Sequence, residues 1–489
     1  MDAVNDAVVW FNDYYSYVLI VLLVGAGLYY GWRTRLVQIR LIPEMLRAVV
    51  ERPGAGDEGT KPISAFRAFS ISAASRVGTG NVAGVAVAIS VGGPGAVFWM
   101  WVLAIIGGAT AFVESTLGQL YKVRDGGEYR GGPAYYLSRG IGDKRLGAVM
   151  AAIFAVAITF TYGAVFNAVQ SNSITHAVNN AVDQDLSWLP AAIGIVLAVL
   201  AGLVIFGGVQ RISGVSQIIV PVMALGYVGL AAVIFFTNLD QVPGVIGDIV
   251  ASAFGVREVA GAGIWAAMTQ GMRRGLFSNE AGMGSTPNSA ATAAVSHPVK
   301  QGLVQTLGVY FDTLVVCSAT AVIILLSQPV FGTGFEGVEL TQNALQHQIG
   351  SIAAPALAVI LFFLAFSSIV GNYYYGETNI AFLTSSTAVR TVFRVIVLGM
   401  VFFGAVAQVD LVWNLADLAS SVMATVNIIG LLLIGGTAML LLRHYLAQKR
   451  MGLEPVFHRD DLPGLTGVEC WDDTDPETVR TPAPGLGTP

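Results

Sequence analysis

Two short stretches carry chemistry-bearing side chains where the chain should be crossing hydrocarbon. "SRVGTGNVAG", Ser75 to Gly84, and "RRGLFSNEAGMGS", Arg273 to Ser285, place charged and amide side chains among glycines. A charge at the centre of a membrane helix costs roughly 2.5 to 3.5 kcal/mol on insertion scales, and glycine disfavours a helix interior. Setting Arg76 on Arg274 aligns Asn81 with Asn279, Ala83 with Ala281 and Gly84 with Gly282, four identities in nine positions. Breaking a helix at mid-membrane frees N–H groups, which attract an anion such as a carboxylate, and C=O groups, which attract a cation. A zwitterion and a small hard cation such as sodium, which prefers oxygen ligands, suit such a pair of breaks. A seam of small residues packing two helices is the alternative, but that seam has no need of Arg76, Asn81, Arg274, Asn279 or Glu280.

The elements that hold these stretches are membrane helices. The chain has 489 residues, 54% of them hydrophobic and 12% charged, with a mean hydropathy of +0.67. That is too much apolar surface for a water-soluble interior, so the fold class expected is an all-α polytopic membrane protein. Apolar runs of about 20 residues cover a bilayer core, and they place spans near 14–31, 64–90, 95–121, 145–174, 188–206, 213–236, 258–284, 301–326, 352–375, 387–406 and 410–442. The first run follows Asp2, Asp6 and Asp13 and leads into arginines, which reads as an uncleaved span and not a signal peptide. The formal charge of −5 excludes nucleic acid as an expected partner. Cys317 sits in an apolar run and Cys470 in the polar tail, so no disulfide or cysteine metal site is expected.

Lys and Arg fall in alternate loops, such as "GWRTRLVQIRLIPEMLRAVVERP" and "YKVRDGGEYRGGPAYYLSRGIGDKR", apart from Arg76, Arg273, Arg274 and a lone Arg257. The positive-inside rule then puts the N-terminus outside and the C-terminus in the cytoplasm of a cell-membrane protein. With that topology the second and seventh spans run in opposite directions and each opens a group of five. Two discontinuous helices heading two inverted five-helix halves is the arrangement of secondary transporters. The organisation expected is 1–63 for an N-terminal span plus an amphipathic interfacial helix, 64–237 and 238–443 for the halves, and 444–489 for a cytoplasmic tail. Rich in Pro, Gly, Asp and Thr, that tail is predicted to be disordered.

Other polar residues lie at membrane depth. Asp312 in "VYFDTLVVCSAT" is either an ion or gating residue or the partner of Arg76 or Arg274, and Asp312 and Glu280 are the groups that could carry a proton. Ser367 and Ser368 in "AFSSIVGNYYYGE" could ligate a cation or bond back to their own helix. Tyr162, Asn167, Gln170 and Asn172 form a polar face that lines a cavity or ties helices together. The scattered histidines offer no enzyme site, and polarity gathered at two breaks does not trace the continuous pore of a channel.

The chain closely resembles the alanine or glycine:cation symporter family, through "GTGNVAGVAVAISVGGPGAVFWMW" (Gly78 to Trp101), "RRGLFSNEAGMGSTPNSAATA" (Arg273 to Ala293) and "YYYGETN" (Tyr373 to Asn379). The resemblance implies a leucine-transporter type fold with one extra N-terminal helix, and sodium-driven uptake of small neutral amino acids. Separately, a monomer is the expected unit. The resemblance also implies that the amides of Thr79 and Gly80 meet the substrate carboxylate, within a lining of Gly78, Thr79, Gly80, Asn81, Gln170, Phe277, Ser368 and Asn372. It implies a sodium site from the carbonyls of Ala74 and Val77 with Ser367 and Ser368, and makes Asn81 and Asp312 candidates for a second. Arg76, Arg274 and Glu280 remain as gating or ion-pair residues. Some relatives have tryptophan where this chain has Asn372. An amide there leaves more room and adds hydrogen-bonding capacity, so the substrate set is expected to extend to serine or glutamine.

Overall fold

Hydrocarbon thickness and the cost of unpaired backbone groups leave helices as the spanning elements of this composition. The computed structural model describes residues 2–51, 63–125, 127–182, 186–256, 263–328, 337–475 and 478. Arg257, the lone basic residue expected in an outer loop, lies outside them. Among the described residues eight helices are long and apolar enough to cross a membrane. Eleven spans result when the shorter Leu189–Ile205 and the two broken helices are added.

The N-terminal helix α1 (Asp2–Arg33) leads to two short helices, α2 (Val37–Arg40) and α3 (Ile42–Val49), where a single interfacial helix was expected; Met45 and Ala48 of α3 are buried. The first broken span is α4 (Ala65–Arg76) and α5 (Val85–Gly92), joined through an extended Val77 and a π-helical turn at Gly80–Gly84. Ser64 starts α4 by accepting from the Arg67 amide at 3.2 Å, so this span opens on a side-chain cap. Then come α6 (Gly95–Leu120), α7 (Pro133–Gly140), the long span of α8 (Lys144–Phe160) and α9 (Phe166–Val182), α10 (Leu189–Ile205) and α11 (Gly208–Thr237). A short helix, α12 (Val242–Ala253), precedes the second half.

The second broken span is α13 (Ile264–Asn279) and α14 (Pro287–Ala290). Between them Glu280 is left-handed at φ 58°, and Gly282 and Gly284 take φ of +84° and +81°. A left-handed glutamate costs about 1 to 3 kcal/mol and persists only where its surroundings over-determine it. The span of α15 (Pro298–Tyr310) and α16 (Ser318–Leu326) follows, then α17 (Val338–Ile349), α18 (Ala353–Leu383), α19 (Thr387–Val406), α20 (Val409–Ile434) and α21 (Gly436–Arg450). The breaks thus head two sets of five spans. Helix α6 packs on α13 and α15, while α18 and α19 pack on α9. Further π turns interrupt the α8–α9 span at Thr161–Val165 and the α15–α16 span at Phe311–Cys317. Such turns favour functional sites, and the one at Phe311–Cys317 carries Asp312.

Two features depart from the sequence reading. A hairpin of β1 (Val123–Asp125) and β2 (Glu128–Arg130) interrupts the otherwise helical chain. The tail expected to be disordered is seated on the bundle from Leu453 to Asp475, and its first residues still belong to α21. Phe457 and Trp471 are fully buried. The Phe457 amide donates to the Ser296 carbonyl at 2.8 Å, the Trp471 ring lies 4.2 Å from the Lys122 ammonium, and its indole N–H donates to the Gln119 carbonyl. Acidic tail residues meet the basic end of the bundle, with Glu469 on Arg139 at 2.7 Å and Glu454 on Lys300 at 2.6 Å. Composition alone signals no core, but this segment borrows one from the helix ends beneath it.

Candidate functional site

The first break brings together most of the residues singled out in the sequence. The Val77 amide still donates to the Ala73 carbonyl at 2.8 Å, but beyond it the helical ladder stops, and the amides of Gly78 and Thr79 find side-chain acceptors instead. Gly78 N donates to Asn81 Oδ1 at 2.9 Å, and Thr79 N to Gln170 Oε1 at 3.1 Å. A Cβ on Gly78 would strike Ser368 Oγ and come within 2.9 Å of Gln170 Oε1, so α18 and α9 close on the break because this residue is glycine. A Cβ on Gly80 would lie 2.9 Å from the Phe277 ring. Phe277 in turn packs on Phe166, ring centres 4.6 Å apart, and on Trp413 at 5.0 Å. The Thr79 amide, expected to be open to a substrate carboxylate, is here held by a neutral carboxamide oxygen.

Asn372 joins a neighbouring cluster. Its Oδ1 lies 2.7 Å from Ser75 Oγ, which also reaches Glu280 Oε1 at 2.9 Å, and Ser285 Oγ donates to Glu280 Oε2 at 2.6 Å. Thr79 Oγ1 and Asn372 Nδ2 are fully buried and have no hydrogen-bond partner among the described residues. A buried unpaired polar group costs about 1 to 3 kcal/mol, so each is a place where a bound polar molecule gains.

Ser367 and Ser368 both donate to the Leu364 carbonyl, at 2.7 and 3.2 Å. This is back-bonding within their own helix, and it uses only the hydroxyl protons; the oxygen lone pairs remain available to a cation. Ala74 and Val77, at the end of α4, are fully buried. A second oxygen cluster surrounds Asp312. Its Oδ1 accepts from Asn81 Nδ2 at 2.7 Å and its Oδ2 from Ser278 Oγ at 2.6 Å and Thr313 Oγ1 at 3.1 Å. Thr320 fixes the Asn81 carbonyl at 2.6 Å. Ser278, one residue before Asn279 in the second motif, is a member that sequence reasoning missed.

The arginines divide differently from expectation. Asp312 makes no direct ion pair with Arg76 or Arg274 among the described residues. Arg274 instead pairs with Asp417 of α20 and lies 4.9 Å over Trp413. Asp417 could have been found by the criterion that picked out Asp312, a carboxylate inside an apolar run. Arg76 donates to the Gln305 carbonyl at 3.3 Å, and its Nε and Nη2 have no hydrogen-bond partner among the described residues. Of the polar face on the α8–α9 span, Gln170 reaches the first break, while the Tyr162 ring packs on Phe166 and Tyr375. Asn172 donates to the Gly404 and Ala407 carbonyls at 2.9 Å, tying α9 to the end of α19, and Asn167 bonds to Gly163 in its own span.

Above the aromatic cluster of Phe166, Phe277 and Trp413 lies a cavity of about 410 Å³ lined by Asn172, His176, Gln270, Arg274, Trp413 and Asp417. It lies on the α5 side of the break, and the Arg274–Asp417 pair forms part of its wall. The arrangement thus sets backbone amides and hydroxyl and carboxylate oxygens about the break, with a cavity walled by charged and aromatic side chains beside it.

The chain is similar to known proteins. The family model described as the sodium:alanine symporter family matches residues 1–459. The "Probable sodium/glutamine symporter GlnT" of Bacillus subtilis (strain 168) is 48% identical over 464 residues, covering 95% of each chain. The "Amino-acid carrier protein AlsT" of the same organism is 49% identical over 462 residues, 94% of this chain and 96% of that one. The "Sodium/alanine symporter AgcS" of Methanococcus maripaludis is 38% identical over 426 residues, 86% and 92% of the two chains. Among solved structures, that of MhsT in complex with L-phenylalanine superposes with a TM-score of 0.54 at 13% identity, covering 78% of this chain and 99% of that one, a likeness of fold. With its two glycine-broken spans, their motifs and a match over nearly its whole length, the chain belongs to the sodium:alanine symporter family.

Proposed function

We propose that this protein carries a small neutral amino acid across the cell membrane together with sodium, by alternating access around the first break. The observation that carries the reading is the Thr79 amide, held by the neutral Gln170 carboxamide, with Ser368 Oγ and Gln170 Oε1 both packed against the adjacent Gly78. A substrate carboxylate displaces Gln170 and replaces a neutral hydrogen bond by a charge-assisted one, roughly twice as strong. The lining is Gly78, Thr79, Gly80, Asn81, Gln170 and Phe277, with Ser368 and Asn372 from α18. Sodium lies against the Ala74 and Val77 carbonyls with Ser367 and Ser368, and the Asn81–Asp312 cluster is the second cation site. Ion and substrate favour the same conformation, and that shared preference is the coupling.

Asn372 Nδ2 provides an unpaired donor near the pocket, which supports a substrate set reaching serine and glutamine as well as alanine and glycine. The name of the GlnT relative supports the same extension. With the N-terminus outside and the tail in the cytoplasm, as the loop charges favour, the cavity above Trp413 faces outward and Arg274–Asp417 forms an outer gate. The test is uptake of labelled alanine, glycine, serine and glutamine by proteoliposomes under imposed sodium or proton gradients. Sodium-driven uptake of these amino acids is expected. Uptake that follows a proton gradient and ignores sodium overturns the coupling, and displacement by alanine and glycine alone overturns the wider substrate set.

A further inference from the structure

The two breaks differ in what satisfies their backbone. At the first, the amides of Gly78 and Thr79 rest on two neutral carboxamide oxygens. At the second, the amides of Gly282 and Gly284 rest on one carboxylate, Glu114 of α6, with Oε1 at 3.1 Å from the first and Oε2 at 3.0 Å from the other. Successive amides around left-handed glycines make a concavity for an anion, and here the protein fills it itself. Asn427 of α20 locks the arrangement, its Nδ2 donating to Glu114 Oε2 at 2.8 Å and to the Gly282 carbonyl at 2.9 Å. The Tyr136 hydroxyl donates to Asn427 Oδ1 in turn. Glu114 is fully buried and takes part in no direct ion pair among the described residues; its hydrogen-bond partners are three N–H donors. Helix α6 can approach this closely because it carries glycine one turn on: a Cβ on Gly118 would lie 2.7 Å from that of Pro287, the first residue of α14.

We propose that Glu114 is a built-in anion that occupies the second break, and that it is thereby a positioning residue: it leaves the first break as the place where a substrate carboxylate can dock. The inference rests on the function proposed above. A carboxylate arriving at Thr79 displaces a neutral oxygen on a flexible side chain, whereas one arriving at Gly282 would have to displace a tethered carboxylate held by three donors and bring a second negative charge beside it. Glu114 also ties α6 of the first set of five spans to the second break and to α20 of the second set.

The experiment is uptake and substrate binding in proteoliposomes by the wild-type protein, Glu114→Gln and Glu114→Ala, with sodium formate as a small free carboxylate and sodium gluconate as a bulky control. In Glu114→Gln the volume is kept, but an NH2 group faces one of the two amides. Its maximal uptake is expected to fall about tenfold, the loss of one charge-assisted hydrogen bond, with sodium half-saturation within about twofold of wild type. In Glu114→Ala formate enters the emptied concavity and restores uptake at least about threefold over gluconate; wild type shows no such gain. A merely structural role predicts a loss that formate does not touch. Wild-type uptake by Glu114→Gln, or no formate response in a Glu114→Ala protein that is folded, overturns the proposal. If Glu114→Ala does not fold, the decision rests on Glu114→Gln. Failure of the wild-type protein to take up amino acids overturns the underlying function instead, so the two failures are distinguishable.

Discussion

Replacing Gln170 by glutamate puts the proposed placeholder to a quantitative test. Gln170 Oε1 accepts from the Thr79 amide at 3.1 Å, a neutral hydrogen bond worth about 1 kcal/mol net, whereas a carboxylate in its place makes a charge-assisted bond worth about 1.5 to 3 kcal/mol. The difference of about 1 to 2 kcal/mol is what an incoming substrate must now overcome. At 1.4 kcal/mol per factor of ten, KM for alanine should rise about 5- to 30-fold. The same added charge lies near Ser368, which also packs against Gly78, so sodium half-saturation should fall. Lowering the pH toward the ordinary glutamate value of about 4.3 protonates the new side chain, makes it neutral again and should bring KM back toward wild type. Initial uptake rates in proteoliposomes, as a function of alanine at saturating sodium and at several pH values, measure all three effects. A folded Gln170→Glu protein whose KM stays within about twofold of wild type refutes the placeholder argument.

Ser367→Ala and Ser368→Ala should each raise sodium half-saturation about tenfold, the loss of one oxygen ligand at roughly 1.4 kcal/mol. Thermal stability should barely change, since among the described residues each hydroxyl bonds only to its own helix; an unchanged sodium curve in both variants removes the serines from the ion site. Asn372→Trp fills the pocket beside Ser368 and removes an amide, so glutamine should cease to compete with labelled alanine while alanine uptake persists, and retained glutamine competition counts against Asn372 as a selectivity residue. In the seated tail, burial pushes the Cys470 thiol up to about 11, so it is almost fully protonated near neutral pH and slow toward maleimide. Trp471→Ala should free the segment, return the thiol toward about 8.5 and speed labelling by about 100-fold; labelling as slow as in wild type shows that Trp471 does not hold the tail.

Much of the architecture was legible because hydrocarbon imposes one-dimensional rules. A bilayer sets the length of an apolar run, and a charge inside one is costly enough to be conspicuous, so the spans and the breaks at Ser75 to Gly84 and Arg273 to Ser285 were visible as sequence. The family motifs then supplied a site lining, and Gly78, Thr79, Gly80, Asn81, Gln170, Phe277 and Ser368 do converge. The short helices α12 and α17 and the hairpin were not visible, because segments that cross no hydrocarbon carry no comparable length signal. The tail was misjudged for a related reason: its polar composition describes a segment without a core of its own and is silent about the basic helix ends that receive it.

Sequence by itself determined that this is a helical membrane protein with two polar interruptions in opposed halves, because those features follow from hydropathy, spacing and charge along one chain. Only the tertiary structure decided what satisfies each interruption. Gln170 on the Thr79 amide, Asp417 on Arg274 and Glu114 on Gly282 and Gly284 are pairings between residues 91, 143, 168 and 170 positions apart. A buried acceptor can be assigned its donor only when helix packing has removed water and left that donor as the sole way to avoid an unpaired polar group.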